Sequence, residues 1–519
     1  MVFSISFLAP FVVLAAACFA WRRTGARPEG VPKLAEYAAL AALACATLGA
    51  VQFIAAGPAK LAIFSGPAAL ALQANAVTVA LALLVAFIGW VVTRYSRSYL
   101  DGEAQEGRFH ALMLATLAAV LLFVQSGSFA VLILSSALVG LCLKRLLLFY
   151  RSRPEAKRAA TKFALVWHGA DAVLVLAAVL LAVSYGTGDL NGIAAAAAED
   201  GPNWLSSAAI ALVVVGAILK TAAFPVHGWL TEVMEAPTPV SALLHAGIIN
   251  SGGVLLIALS GLVQLSPGAM GALVMVGGFT AIFGAAVMLT QSAVKTSLAW
   301  STVSQMGFLL LQCGLGLWPL ALLHIIAHSL YKAHAFLSSG GAVQAVAGLR
   351  RPGPIAVPSV AAVLKAFALA LALYALIAAL FTMVIGPKSA QALALGTILI
   401  FGVAYLVAQG LADTAPADLT KRTALASLAA AFAYFAFQAI AQAIWGPALP
   451  AAPVPGPLEW ALIVLAVASF GLVAFAQALF PLWAHHPSTA GLRVHLANGF
   501  YLNALLDRAI GGFRVAKAD

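Results

Sequence analysis

The chain of 519 residues is 63% hydrophobic and 9% charged, with 28 Lys and Arg against 17 Asp and Glu and a net charge of +11. An ordinary soluble domain is about 25% charged, so these proportions exclude a water-soluble globule, and the apolar content excludes a disordered chain. What remains is an all-α polytopic membrane protein, in which an excess of basic charge sets orientation and does not imply nucleic acid.

The first apolar run, residues 3–21, lacks the basic leader of a signal peptide, because Arg22 and Arg23 follow it. It therefore reads as a retained first span. Breaks in the apolar pattern predict about fifteen spans, within a range of 13–16, starting near Phe3, Leu34, Ala76, Phe109, Phe129, Phe163, Leu205, Val240, Ala269, Lys295, Pro319, Val360, Gln391, Thr423 and Trp460. Residues 61–75 turn around Gly66-Pro67 and are too short to span, so a hairpin or re-entrant segment is expected there. With the N-terminus outside, about 23 of the 28 basic residues fall in inside segments, seven of them between Lys144 and Lys162. Only Lys60 and Lys388 fall outside, and Lys220, Lys332 and Lys365 lie within spans. The positive-inside rule thus predicts an outside N-terminus and a cytoplasmic C-terminus in the cell's inner membrane. Residues 487–519 carry apolar side chains at helical spacing (Leu492, Leu496, Phe500, Leu505, Ile510) among Arg493, His495, Asp507 and Arg508, the pattern of an amphipathic helix on the inner surface.

A charge at mid-bilayer costs at least about 2.5–3.5 kcal/mol, so each one marks a functional candidate. Lys220 follows a long uncharged run and precedes Phe224-Pro225, which should break the helix. A lysine held there can exchange its proton, with snorkelling to the interface as the bland alternative. Glu235, ahead of Pro237-Thr238-Pro239, is a carboxylate that could offset the Lys220 charge, and His245 lies inside the next span. In HIIAHSLYKAH, His324, His328 and Lys332 recur at i, i+4 and i+8 and stack over about 12 Å of one helix face. Imidazoles so spaced can relay a proton, whereas two histidines and an ammonium do not make a zinc site. His168 and Asp171, three apart, share a face as a hydrogen-bonded pair or a secondary relay. The cysteines Cys18, Cys45, Cys142 and Cys313 are isolated, and no P-loop, dinucleotide fingerprint or cluster motif is present. The chain is therefore expected to be no enzyme, with no metal or other cofactor of its own.

LKTAAFPVHGWLTEVMEAPTPVSALLHAGIINSGG, KTSLAWSTVSQMGF and LHIIAHSLYKAHAFLSSG resemble the antiporter-like, proton-conducting subunits of respiratory complex I and of Mrp-type sodium/proton antiporters, over residues 109–343. The resemblance implies inverted repeats of five helices with a broken helix in each. It implies an ion pathway through Lys220, Glu235, His245, Lys295, His324, His328 and Lys332. Two departures stand out. Ala137 occupies the place of the family's fifth-helix glutamate, and VLKAFALALALYALIAALF replaces the lysine-bearing element of the twelfth helix, unless Lys365 substitutes.

LKRLLLFYRSRPEAKRAATKF, LLLQCGLG and LWAHHPSTAGLRVHLANGFYLNALLDR look like a narrower relative, the membrane subunit of DAB-type inorganic carbon transporters. That resemblance implies a large, soluble, cytoplasmic partner akin to a zinc β-carbonic anhydrase. The partner would hold the zinc, and H⁺ or Na⁺ flux through this chain would drive CO₂ hydration to bicarbonate. Two rivals are an antiporter-like subunit of a respiratory, hydrogenase or Mrp-type complex and an inert membrane anchor. The expected organisation is N-terminal helices over 1–108, an ion-conducting core over 109–345, C-terminal helices over 346–486 and a cytoplasmic tail over 487–519.

Overall fold

The computed structural model describes residues 3–341, 359–410, 417–483 and 486–509. Helices α1 (Ala9–Ala20) and α2 (Val31–Ala56) lead into a hairpin of β1 (Ala59–Phe64) and β2 (Leu70–Ala74). The hairpin is antiparallel, with Lys60 opposite Gln73, and turns through Gly66 at a φ of 77°. It occupies the segment that was too short to span. Next come α3 (Ala76–Tyr99), α4 (Glu106–Val124), α5 (Phe129–Leu147), α6 (Pro154–Tyr185), the short α7 (Leu190–Asp200) and α8 (Trp204–Lys220).

Polar caps fix where these helices start. The Asn75 side chain accepts from the Val77 and Thr78 amides, Asn203 does the same for Ser206, and Pro154 sits in the first turn of α6. α8 stops at Lys220, Ala222 takes a left-handed φ of 48°, and Pro225 follows before the single turn α9 (Gly228–Thr231). This is the interruption that Phe224-Pro225 predicts. The eighth span is also irregular: α10 (Thr238–Ala246) gives way to a 3-10 turn at Ile248–Asn250 before α11 (Ser251–Ala258) and α12 (Ser260–Val263). Then follow α13 (Pro267–Met288), α14 (Val294–Gly314), α15 (Trp318–Ser338), α16 (Val360–Ile385), α17 (Ala390–Gly410), α18 (Ala417–Trp445), α19 (Pro457–Ala478), α20 (Phe480–Trp483), α21 (Ala490–Ala497) and α22 (Leu502–Ala509).

Eleven helical segments among the described residues are long and apolar enough to cross a membrane, and three more are shorter but apolar. With the more polar α14, the described residues hold fifteen membrane-scale segments, in line with the hydropathy breaks. The twelfth span, α16, is a continuous helix over the stretch that lacks the family's lysine-bearing element.

Alternation of these segments gathers the basic connections at one end. There Arg94 and Arg97 reach Glu36, Arg153 meets Glu235, and Lys162 meets Glu232 and Asp507. Lys60 pairs with Asp189 at the far end. The tail departs from the expected single amphipathic helix. It forms two eight-residue helices, α21 and α22, parted by Phe500 at a φ of 51°. Asp507 is buried against Lys162, so α22 is held to the bundle's basic end by an ion pair and not by apolar adhesion alone. Ile510, Arg514 and Lys517 lie outside the described residues.

Small residues let α13 and α14 approach closely. A Cβ on Gly284 would sit 2.7 Å from the Ser304 amide nitrogen, and one on Gly277 would sit 2.7 Å from the Gly307 carbonyl oxygen. In lipid, where helices gain no hydrophobic drive towards one another, such backbone proximity supplies the association. Gly277→Val should destabilise the protein by about 1–3 kcal/mol through overpacking. The check is a lower unfolding temperature in detergent than for Gly278→Val, since nothing lies within 4 Å of a Cβ at Gly278.

Candidate functional site

The first charged centre forms where α5, α6 and α8 meet. Lys220 is fully buried, and its Nζ donates to Asp171 Oδ1 at 2.8 Å and to Ser136 Oγ at 2.7 Å. The Ser136 hydroxyl donates its proton to the same Asp171 oxygen at 2.7 Å, closing a triangle. Lys220 Nζ also lies 4.0 Å from the centroid of the Trp167 ring, whose indole N–H holds the Ser136 carbonyl at 2.9 Å. Gly140, one turn along α5 from Ser136, makes room, because a Cβ there would meet His168 Cε1 at 2.8 Å. The other Asp171 oxygen lies 3.2 Å from His168 Nδ1. An ammonium, a carboxylate and a hydroxyl at these distances balance charge and satisfy one another's hydrogen bonds inside an apolar bundle.

This arrangement corrects one expectation. Glu235 does not approach Lys220. It pairs with Arg153 at 2.7 Å at the basic end, where both side chains are partly exposed. The carboxylate that meets Lys220 comes from Asp171 on α6, one helix along from the missing glutamate at Ala137. The sequence signal was the His168–Asp171 pair itself, a carboxylate facing inward from an apolar span, together with Ser136 beside Ala137.

A second centre runs along α10, α14 and α15. The Thr302 hydroxyl donates to the Leu298 carbonyl at 3.0 Å, so its one proton is committed. His245 Nδ1, 3.1 Å from that hydroxyl, must then be the donor, leaving Nε2 as a free acceptor. The His245 ring stacks on Phe336 at 4.3 Å. Lys332 Nζ donates to the same Leu298 carbonyl at 3.0 Å and to Ser301 Oγ at 2.9 Å, with no carboxylate partner among the described residues. His245 and Lys332, from two different motifs, thus join through Leu298 and Thr302 of α14, two residues that sequence reasoning missed.

Further along α15, the His328 ring has no hydrogen-bond partner on either nitrogen among the described residues and lies 5.9 Å from the His324 ring. His324 Nδ1 is 2.7 Å from Gln312 Oε1. These histidines edge a cavity of about 690 Å³ between α14, α15, α16, α17 and α18, which Tyr374 and Tyr434 also line. No hydrogen-bonded chain joins the Lys220 centre to His245 among the described residues.

Other sequence candidates sit elsewhere. Lys295 is half-buried at the start of α14 and has no ion-pair or hydrogen-bond partner among the described residues. Lys365 is exposed near the start of α16 and does not line the cavity, so it does not replace the twelfth-helix lysine. Lys162, counted with the basic surface segment, is instead fully buried between Glu232 and Asp507.

Removing one member of a buried ion pair typically costs about 3–5 kcal/mol, because the other charge is stranded. Asp171→Leu and Lys220→Met should each lower the unfolding temperature, and the double variant should be more stable than either single. Thermal melts of the four proteins in detergent check this.

Comparison with known proteins places this geometry. Residues 126–351 match the family model described as NADH:quinone oxidoreductase/Mrp antiporter, TM. The fold is similar to a chain in the structure of the Mrp complex from Dietzia, with a TM-score of 0.63 and 22% identity over 98% of this chain and 59% of that one. NADH-quinone oxidoreductase subunit L of Mycobacterium tuberculosis is 34% identical over 53% of this chain and 44% of its own length. The probable inorganic carbon transporter subunit DabB of Hydrogenovibrio crunogenus is 44% identical over 50% of this chain and 51% of its own. The probable inorganic carbon transporter subunit DabB2 of Halothiobacillus neapolitanus is 36% identical over 96% of this chain and 92% of that one. With the likeness running through the C-terminal helices as well as the two charged centres, the chain belongs to the DabB family of inorganic carbon transporter subunits, multi-pass membrane proteins of antiporter-like fold.

Proposed function

We propose that this chain is the ion-conducting membrane subunit of an energy-coupled inorganic carbon pump. Cation flux through it would drive one-way hydration of CO₂ to bicarbonate on a soluble zinc-bearing partner that resembles a β-carbonic anhydrase. The observation that carries the reading is the pair of buried cationic centres. Lys220 with Asp171 and Ser136, and Lys332 with Ser301, Leu298 and His245, place exchangeable protons at two points inside an apolar bundle. An inert anchor has no use for charges that cost this much to bury. The respiratory reading is less favoured, because the complex I relative covers only about half of the chain, whereas DabB2 covers nearly all of it.

In this reading the basic end faces the cytoplasm, where the positive-inside rule puts it. The tail lies there as well. Asn503 donates to Thr231 Oγ1 at 3.2 Å, Gln291 donates to the Ala497 carbonyl at 3.2 Å, and the Phe500 ring lies 6.2 Å from Phe283. The tail therefore rests on the turn after the α8 break, while Leu492, Val494 and Leu505 stay exposed. A partner docked on that exposed face would touch the element beside Lys220, which gives a mechanical route from ion flux to soluble chemistry.

Truncation before Pro487 should leave an inserted protein that no longer co-purifies with its partner or with the partner's zinc. Recovery of both at wild-type yield would remove the tail from docking. Lys220→Ala should abolish growth at air levels of CO₂ with the protein still in the membrane, and Lys220→Arg should fail as well, since a guanidinium does not release its proton. His328→Ala and Lys332→Ala should each reduce carbon uptake by about 100-fold. Uptake by the double variant should be little worse than by the weaker single, because members of one relay do not add.

A further inference from the structure

The Lys220 centre sits at an interrupted helix, whereas α16, which lines the cavity beside His324 and His328, is continuous. A different helix is interrupted. In the eighth span, Gly247 takes φ −120° and ψ −72°, and the helix resumes only after the turn at Ile248–Asn250. Irregular backbone at membrane depth is tolerated where it is buried in protein or lines a polar cavity. Asn250 meets the break from its own side: its Nδ2 donates to the Ala246 carbonyl at 3.2 Å and to Ser329 Oγ on α15 at 2.9 Å. Two polar functions remain unmatched at this contact among the described residues. Asn250 Oδ1 has no donor, and the Ser329 hydroxyl proton has no acceptor. Asn250 is 2% exposed and Ser329 1%.

Both side chains line a small cavity of about 30 Å³ between α3, α4, α10, α11 and α15. Leu81, Phe123, Val124 and Val254 form part of its wall and also part of the wall of a second cavity of about 200 Å³. That second cavity opens among Gln73, Asn75, Ser126 and Asn191 at the far end, near the hairpin. On the other side, Ser329 adjoins the relay. At about 100° per residue, Lys332 falls between His328 and Ser329 around α15, one turn nearer the basic end. The Asn250–Ser329 contact therefore stands between the second centre and the far-end vestibule.

The size and lining of the small cavity choose the ion. A volume of about 30 Å³ holds a single water, which needs two to four polar partners. One acceptor on Asn250 and one donor on Ser329 supply two. A dehydrated metal cation takes about six oxygen ligands. Leu81, Leu84, Ile88 and Leu243, which make up much of the remaining wall, offer none.

We propose that protons, and not sodium ions, pass between Lys332 and the far end through the Asn250–Ser329 contact at the interrupted eighth span. The Lys332 ammonium gives its proton to a water held by Asn250 Oδ1 and the Ser329 hydroxyl. That water releases a proton to the vestibule beyond Leu81 and Phe123, and neutral Lys332 takes its next proton from the His328 side. One proton enters and one leaves, and no other species is consumed. This inference rests on the ion-conducting reading above.

The test is made on the full chain in proteoliposomes, with H⁺ and Na⁺ flux read separately. The wild type should carry H⁺ without requiring Na⁺. Asn250→Leu should cut H⁺ flux by about tenfold, and Asn250→Ser should restore most of it. Lys332→Ala marks the second centre and should cut the flux by about 100-fold. H⁺ flux unchanged in Asn250→Leu while Lys332→Ala loses it would overturn the route and leave ion conduction standing. Flux carried by Na⁺ without H⁺ would overturn the choice of ion. A wild-type protein that passes neither ion would refute the ion-conducting reading on which the route rests.

Discussion

A lysine ammonium inside an apolar bundle is tolerated only if something nearby replaces its hydration, and the centre of this structure is arranged around that demand at Lys220. Asp171 cancels the charge, Ser136 accepts a second hydrogen bond, and the Trp167 face covers a third side. Each partner constrains a helix. Ser136 fixes the register of α5 against α8, Trp167 ties α6 back to the Ser136 carbonyl, and Gly140 lets α5 and α6 close to contact. The break after Lys220 belongs to the same arrangement. It ends α8 at the charge and turns the chain towards the basic end, where Glu232 and Glu235 are used in other pairs.

Lys332 meets the same demand differently. Among the described residues it has no carboxylate, only a hydroxyl and a backbone carbonyl, and so is the less compensated charge. Among the described residues no hydrogen bond bridges the gap between Lys220 and His245.

The tail brings a further constraint to the basic end. Lys162 is buried between Glu232, beside the break, and Asp507, on α22. A buried cation shared by two carboxylates ties three distant parts of the chain into one unit. Displacing α22 would leave Lys162 with one partner and strain the turn that follows Lys220. The far end has its own tie, from Lys60 in the hairpin to Asp189 before α7.

Much of this was legible in the sequence, because the bilayer reduces the problem to a few readable constraints. Hydropathy breaks mark the spans, basic residues sort the connections to one end, and a charge within an apolar run announces a site. The burial of Lys220, the shared face of His324, His328 and Lys332, and the interruption at Pro225 followed from the sequence pattern, and the hairpin at Gly66-Pro67 is one of the two forms expected of that segment. Partnership did not. Glu235 is closer to Lys220 in sequence than Asp171 is, yet helix packing brings Asp171 to the ammonium and sends Glu235 to Arg153. The bond from His245 through Thr302 and Leu298 to Lys332, the burial of Lys162, and the meeting of Asn250 with Ser329 likewise depend on which helix faces which. Composition and periodicity along one chain determine which residues must leave water and on which face of their helix they lie. The identity of the residue waiting opposite is settled only when the helices pack, because counter-charges and hydrogen-bond partners come from separate spans at distances that no sequence spacing encodes.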